Sequence, residues 1–233
     1  MLLLALETSA KAASAALFEN NTLLGEIYQN TGLTHSQTLL VMAQDLLGQC
    51  GKTTQDLTDV AVANGPGSFT GVRIGAAAAK GLAWGRELPC WGVSTLEAMA
   101  LNLGGHQGYV CPVMDARRSQ VYNALFYADK GQLKRVTEDR AIALADLATE
   151  LEQLDAPIYL VGDGSNLTYK TLSSQIPALV LPPEHRMHQR AAGVGLAALA
   201  MQARGESSDA AALSPNYLRL SQAERERQEK GLK

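Results

Sequence analysis

The stretch from Asn64 to Gly75, NGPGSFTGVRIG, constrains the fold more than any other part of this chain. Four of its twelve residues are Gly, and Pro66 sits between two of them. It follows a short apolar run, 60–63, that reads as a buried strand, and it leads into 74–84, a helix made almost entirely of small residues. Such a strand–turn–helix joint is built for tight backbone. Gly65 and Gly67 admit φ values closed to other residues, and Pro66 fixes its own. Ser68 or Thr70 is placed to cap the helix. Gly-rich turns at helix N-termini present free N–H groups, so a structural joint and an anion site both stand as readings. A Walker A loop is excluded, because Val72 and Arg73 follow the glycine where Lys and Ser or Thr are needed. Gly51-Lys52-Thr53 fails too, since Leu46 stands where the first glycine should be. The esterase elbow GxSxG is absent, because Ser68 directly follows Gly67.

The 233 residues can bury a sizeable core in one or two domains, and 46% apolar with 18% charged residues describes a soluble globular chain. A net charge of −3 and a pI of about 5.8 argue against autonomous nucleic-acid binding, which wants a basic face. MLLLALE lacks a basic n-region, and Glu7 ends its apolar run too early for a signal peptide. No apolar run reaches membrane-spanning length. Cys50, Cys90 and Cys111 lie far apart, outside any CxxC, and read as reduced thiols filling the core of a cytoplasmic protein.

Read in order, 2–6, 13–18 and 23–28 are strands with short links, which predicts an antiparallel meander. Thr34–Gly48 is a helix, with a capping box at Thr34 and Gln37 and with Leu39, Leu40, Ala43, Leu46 and Leu47 on one face. Strand 60–63 returns parallel to the first. After the joint and its helix come strand 90–93 and a helix to about residue 103, capped by Ser94 and Glu97. The glycines of 103–108 mark a boundary. The pattern then restarts: strands 109–114, 120–127 and 132–137, a helix at 145–154, strand 158–161, the turn Gly162-Asp163-Gly164-Ser165 into a helix, strand 179–181 and an Ala-rich helix at 190–204. Two β-β-β-α-β-α units predict an α/β pair of ribonuclease H-like subdomains, the architecture of the actin-like ATPases (the ASKHA fold). The expected division is 1–104, 105–214 and a polar tail, 215–233. In that tail Pro215–Arg219 reads as an ordered link and 221–230 as a solvated helix or frayed terminus.

In actin-like kinases an acidic residue after the first strand of each half helps hold metal–nucleotide. Glu7-Thr8-Ser9 and Asp115-Ala116-Arg117 occupy these places, but both turns lack the Gly that would let backbone approach phosphate. Glu7, Thr8, Asp115, Gly162 and Gly164 are therefore candidates for a vestigial nucleotide cleft, with no cofactor expected. His35 reads as a surface or cap residue; His185 and His188 are two metal-type side chains without a third. Arg73 can meet an anion or pair with Glu97 or Asp115. Repeated Gly and Ala in 71–85 imply close helix approach, and apolar residues cover more than half the circumference of the helix from Thr34. Together they point to an exposed helical interface, beside the alternative of one well-covered core.

The motifs LLALETS (3–9, opening on Leu3), HSQTLL (35–40), NGPGSFTGVRIG, GVSTLEAMA (92–100), DARRSQVY (115–122) and PNYLR resemble the TsaB (YeaZ) family across nearly the whole chain. The resemblance implies the actin-like fold and a role in bacterial synthesis of N6-threonylcarbamoyladenosine at position 37 of tRNA. It implies a non-catalytic dimerisation subunit that pairs with the catalytic subunit TsaD, meets the ATPase TsaE and tRNA through the complex, and forms homodimers alone. The family's interface is a four-helix bundle, which here maps onto Leu39, Leu40, Ala43, Leu46, Leu47, Ile74, Ala77, Ala78 and Gly81. TsaD binds metal through an HxxxH pair; Thr95 and Met99 stand in its place here and cannot substitute for two imidazoles, so no metal is expected. The rival expectation is an active ATP- or metal-dependent enzyme of the same superfamily.

Overall fold

The computed structural model describes residues 1–206 and 208–219, so the segment 221–230 lies outside the described residues. The first half runs β1 (Leu2–Glu7), β2 (Ala13–Glu19), β3 (Thr22–Gln29), α1 (His35–Gln49), β4 (Asp59–Gly65), α2 (Phe69–Trp84), β5 (Cys90–Ser94) and α3 (Thr95–Leu101). Its sheet has the order β3-β2-β1-β4-β5, with β1–β3 an antiparallel meander and β4 and β5 parallel to β1, as expected. Every residue of β1 is buried, because both faces of the sheet are covered. Leu4, Leu6, Val60 and Val62 pack under α1 and α2, while Leu3, Ala5, Ala61 and Ala63 face the opposite layer.

The second half runs β6 (Gly108–Asp115), β7 (Gln120–Asn123), β8 (Phe126–Asp129), β9 (Gln132–Arg135), β10 (Arg140–Ala143), α4 (Leu144–Leu151), β11 (Ile158–Val161), α5 (Ser165–Leu172), β12 (Leu179–Val180), α6 (Glu184–Met187) and α7 (Ala191–Ala203). Its main path, β10-β7-β6-β11-β12, repeats the first sheet's order, which makes the pair of ribonuclease H-like units explicit. Two details differ from expectation. The strand expected over 120–127 breaks into β7 and β8, which pair with opposite ends of β6. Buried Asn123 holds that break: its Nδ2 donates to the carbonyls of Pro112 and Ala124, both at 3.0 Å. The strand expected at 132–137 becomes the hairpin partner of β8, and the edge position falls to β10, which hydrophobic alternation did not reveal.

The boundary at 104/105 separates the sheets but not the helices. α7, within 105–214, packs on the first sheet, where Ala191, Val194, Ala197 and Ala198 join Leu3, Ala5 and Phe18. α3 sends Leu96, Met99 and Ala100 into a core with Val110, Met114 and Val161 of the second half. Each half thus lends a helix to the other. Close approach makes this possible: a Cβ on Gly193 would lie 2.1 Å from the Ala98 carbonyl oxygen. The capping boxes form only in part. The Thr34 side chain makes no cap hydrogen bond. Ser94 Oγ accepts from Glu97 N–H at 3.2 Å, but the Glu97 carboxylate turns away to Arg135, 3.0 Å distant.

Candidate functional site

The C-terminal ends of β1 and β6 and the N-terminus of α2 converge on a cleft of about 540 Å³. Its walls are residues 9–11, 66–70, 114–117, Tyr122, Asp163 and 216–219. The joint 64–75 builds one wall through contacts that need its composition. Gly65 has φ +120°, and a Cβ there would lie 2.5 Å from the Asn216 carbonyl oxygen. The peptide between Gly65 and Pro66 is cis. Ser68 N–H donates to the Ser9 carbonyl at 2.6 Å, and Ser68 Oγ, as the N-cap, accepts from Gly71 N–H at 3.3 Å. The joint's backbone therefore serves close packing, which favours the structural reading over the anion site.

The five candidates for a nucleotide cleft do not come together as a site. Glu7 is fully buried beneath the cleft, where burial pushes its carboxyl up to about 7 against the hydrogen bond from Ser9. Thr8 donates its hydroxyl to the Gly71 carbonyl at 2.8 Å. The Gly162 N–H donates to Met187 at 2.6 Å, and the Gly164 N–H donates to Val113 at 3.0 Å. Asp115 alone lines the cleft, accepting from Arg117 N–H at 2.7 Å. The fold thus consumes the groups that a phosphate would need. Asp163, passed over between its two glycines, also lines the cleft. It is open to the cleft yet crowded by protein, and this desolvation, with Asp115 nearby, raises its pKa against the hydrogen bond from Gln189. The only sequence signal for it was its place between Gly162 and Gly164.

Thr95 and Met99 are fully buried and absent from the cleft wall. Among the described residues, no group of three His, Cys, Asp or Glu side chains could hold a metal. His35 is more than a cap: its Nε2 lies 2.7 Å from the Ala10 carbonyl and ties α1 to the first turn. His188 pairs with Glu184 at 2.9 Å. Arg73 meets neither Glu97 nor Asp115. Its Nε donates to Tyr217 Oη at 2.7 Å, and its guanidinium lies 3.8 Å over the Phe69 ring.

The outer face of α1 and α2 is a second candidate surface. Leu39, Ala43, Leu46 and Leu47, expected there, are buried against Leu2, Leu4 and Leu6. The i, i+3, i+4 spacing marked the stripe that faces the core, as it does in any helix covering a sheet. Leu40, Ala77 and Gly81 do face outward, and Ile74 and Ala78 are half-buried at the edge. The other large apolar side chains exposed here are Leu33, just before α1, Val41 and Trp84, the last 76% exposed, and they stand among exposed polar residues that include Gln44, Asp45 and Arg73. Burial could not be read from composition, so these three were missed. No helix among the described residues is long and apolar enough to cross a membrane.

The family profile described as "TsaD: tRNA N6-adenosine threonylcarbamoyltransferase" matches residues 26–226. The chain is 34% identical to the tRNA threonylcarbamoyladenosine biosynthesis protein TsaB of Bacillus subtilis, over 96% of each chain. The solved structure of YeaZ from Pseudomonas aeruginosa is similar with a TM-score of 0.75 at 29% identity, covering 93% of this chain and 99% of that one. Component A of the (R)-2-hydroxyglutaryl-CoA dehydratase of Acidaminococcus fermentans matches with a TM-score of 0.51 at 9% identity, covering 87% of this chain and 99% of that one. At that identity the likeness concerns the actin-like fold alone.

Proposed function

Since the chain belongs to the TsaB (YeaZ) family of tRNA threonylcarbamoyladenosine biosynthesis proteins, we propose that it serves tRNA modification as a non-catalytic subunit that binds the catalytic subunit TsaD through α1 and α2. The observation that carries this reading is the outer face of these helices. Leu33, Leu40, Val41 and Trp84 are 50–76% exposed as large apolar side chains, beside the small Ala77 and Gly81 that admit close helix approach. A groove of small residues flanked by large apolar ones suits helix-on-helix docking. With TsaD absent, the same face joins two copies as a homodimer. TsaE and tRNA are met through the complex, in keeping with a net charge of −3, and the protein works in the cytoplasm.

The non-catalytic part of the reading rests on the cleft. The hydroxyl of Thr8 and the N–H groups of Gly162 and Gly164 are spent within the fold, and Thr95 and Met99 are buried away from it. Light-scattering mass of the protein alone and mixed with TsaD tests the proposal. A one-to-one heterodimer, lost in Ala77→Arg, is expected. Ala77 is the better site than Ala78, because Ala77 is exposed whereas Ala78 packs partly against the core. No complex at micromolar concentration, together with stoichiometric ATP or metal on the purified protein, would favour the enzyme reading.

A further inference from the structure

We infer that Arg73 is the charged anchor of this partner face, presenting a fixed guanidinium fork to a carboxylate on TsaD. The inference rests on the partner-binding reading of α1 and α2 and adds to it one polar contact. Arg73, Ala77, Gly81 and Trp84 follow one another at helical spacing and are all exposed, so they form a single outward stripe on α2. Of these four, Arg73 alone is charged.

Its side chain is held in place although it is exposed. The guanidinium lies 3.8 Å over the Phe69 ring and 5.7 Å from the Tyr217 ring, and the two rings stack at 4.6 Å. Arg73 Nε donates to Tyr217 Oη at 2.7 Å. The segment carrying Tyr217 is itself tied down. Asn216 N–H donates to the Asn64 carbonyl at 2.6 Å, and Arg219 Nη1 donates to the Ala116 carbonyl at 2.5 Å. Among the described residues, neither Nη group of Arg73 has a hydrogen-bond partner, and no carboxylate lies within ion-pair distance of it. An exposed arginine normally loses much rotamer freedom when it binds. Here the stack has ordered it in advance, and its Nη groups are left without a hydrogen bond among the described residues.

That geometry selects the ligand. With Nε occupied by Tyr217, the two Nη groups remain for an end-on, two-point contact with a planar anion. A carboxylate desolvated within an apolar helical interface matches this arrangement. An RNA backbone would need several cations on one face, and Ala77, Gly81 and Trp84 supply none.

Calorimetric titration of the full-length chain with TsaD tests the inference. Arg73→Ala should weaken binding roughly 30-fold or more, the usual cost of truncating one partner of a desolvated charge pair. Arg73→Lys should recover only a small part of that loss, because a point charge lacks the fork. Tyr217→Phe keeps the ring, loses the Oη acceptor and should weaken binding a few-fold. Each variant's melting temperature, measured alone, should stay near that of the parent, since both side chains lie at the surface. Three outcomes overturn the inference. Parent-like affinity of Arg73→Ala, with Ala77→Arg still disruptive, removes the anchor and leaves the partner face standing. No binding by the parent chain removes both. Unchanged TsaD affinity with weakened tRNA capture by the assembled complex would assign Arg73 to an RNA phosphate.

Discussion

α1 and α2 hold, on the first sheet, the places that α4 and α5 hold on the second, yet the two pairs treat their outer faces differently. α1 and α2 have 15 and 16 residues and expose Leu40, Val41, Ala77, Gly81 and Trp84 among polar residues such as Gln44, Asp45 and Arg73. α4 and α5 have 8 residues each and expose Asp146, Thr149, Glu150, Asn166, Lys170 and Thr171 beside the apolar Ala145 and Leu167. The same strand order therefore supports an outer surface with three large exposed apolar side chains on one half and one with a single such side chain on the other. Fold repetition fixes where helices lie, while the residues beyond the core stripe decide what each helix meets. The inner sides differ as well. α2 presses on the first turn through Gly71 and Gly75, and α5 meets its own turn through Gly164 with more room.

That difference in clearance gives the largest expected effect. A Cβ on Gly71 would lie 2.0 Å from the Thr8 carbonyl oxygen, whereas one on Gly164 would lie 3.0 Å from the Val113 carbonyl oxygen. Backbone cannot retreat from the first overlap without moving β1 or α2. Gly71→Ala should cost at least about 3 kcal/mol, and Gly164→Ala about 1 kcal/mol, in urea unfolding. Equal costs would mean that the first joint can shift, and that its tightness does not set it apart from the second.

The acids after β1 and β6 sharpen the contrast. Glu7 is fully buried and its carboxyl is raised from 4.5 to about 7, while Asp115 stands exposed at the cleft. Between those values the folded chain holds a proton on Glu7 that the unfolded chain has released. Stability is thus greatest below pH 4.5 as far as this group is concerned, and it falls as pH rises through about 7, by roughly 3 kcal/mol in all. Asp163, raised in the same sense, adds to that slope. Glu7→Gln should flatten the fall measured by urea unfolding between pH 5 and pH 8. An unaltered slope in the variant would assign the titration elsewhere.

The fold was legible because its signals are local. Continuous apolar runs such as Leu2–Leu6 announced buried strands, and the glycines of 64–75 announced a tight joint. The break at Asn123 was not legible, since it depends on one buried amide reaching Pro112 and Ala124. Nor was the exchange of α3 and α7, because an Ala-rich helix does not say which sheet it will cover. At the cleft, position after β1 and β6 singles out Glu7 and Asp115, but their fates diverge through burial, a tertiary property. Arg73 was noticed for its charge, while its ring partner Tyr217 stands 144 residues away in the chain. Pairings of that reach leave no periodic trace.

Gly81 offers the smallest effect and the finest test of the outer face. It lies within α2, is exposed, and a Cβ there would meet nothing within 4 Å among the described residues. None of those residues requires glycine at this position, and a helix interior favours alanine by about 1 kcal/mol. Measured at a concentration low enough to keep the chain a monomer, Gly81→Ala should therefore stabilise it by up to that amount. If α2 packs closely on a partner helix, the added methyl should weaken the complex with TsaD while the chain itself gains. Opposite signs in the two measurements would show that glycine is kept here for an approaching chain. A gain in stability with unchanged affinity would place the partner further along the stripe, nearer Arg73 or Trp84.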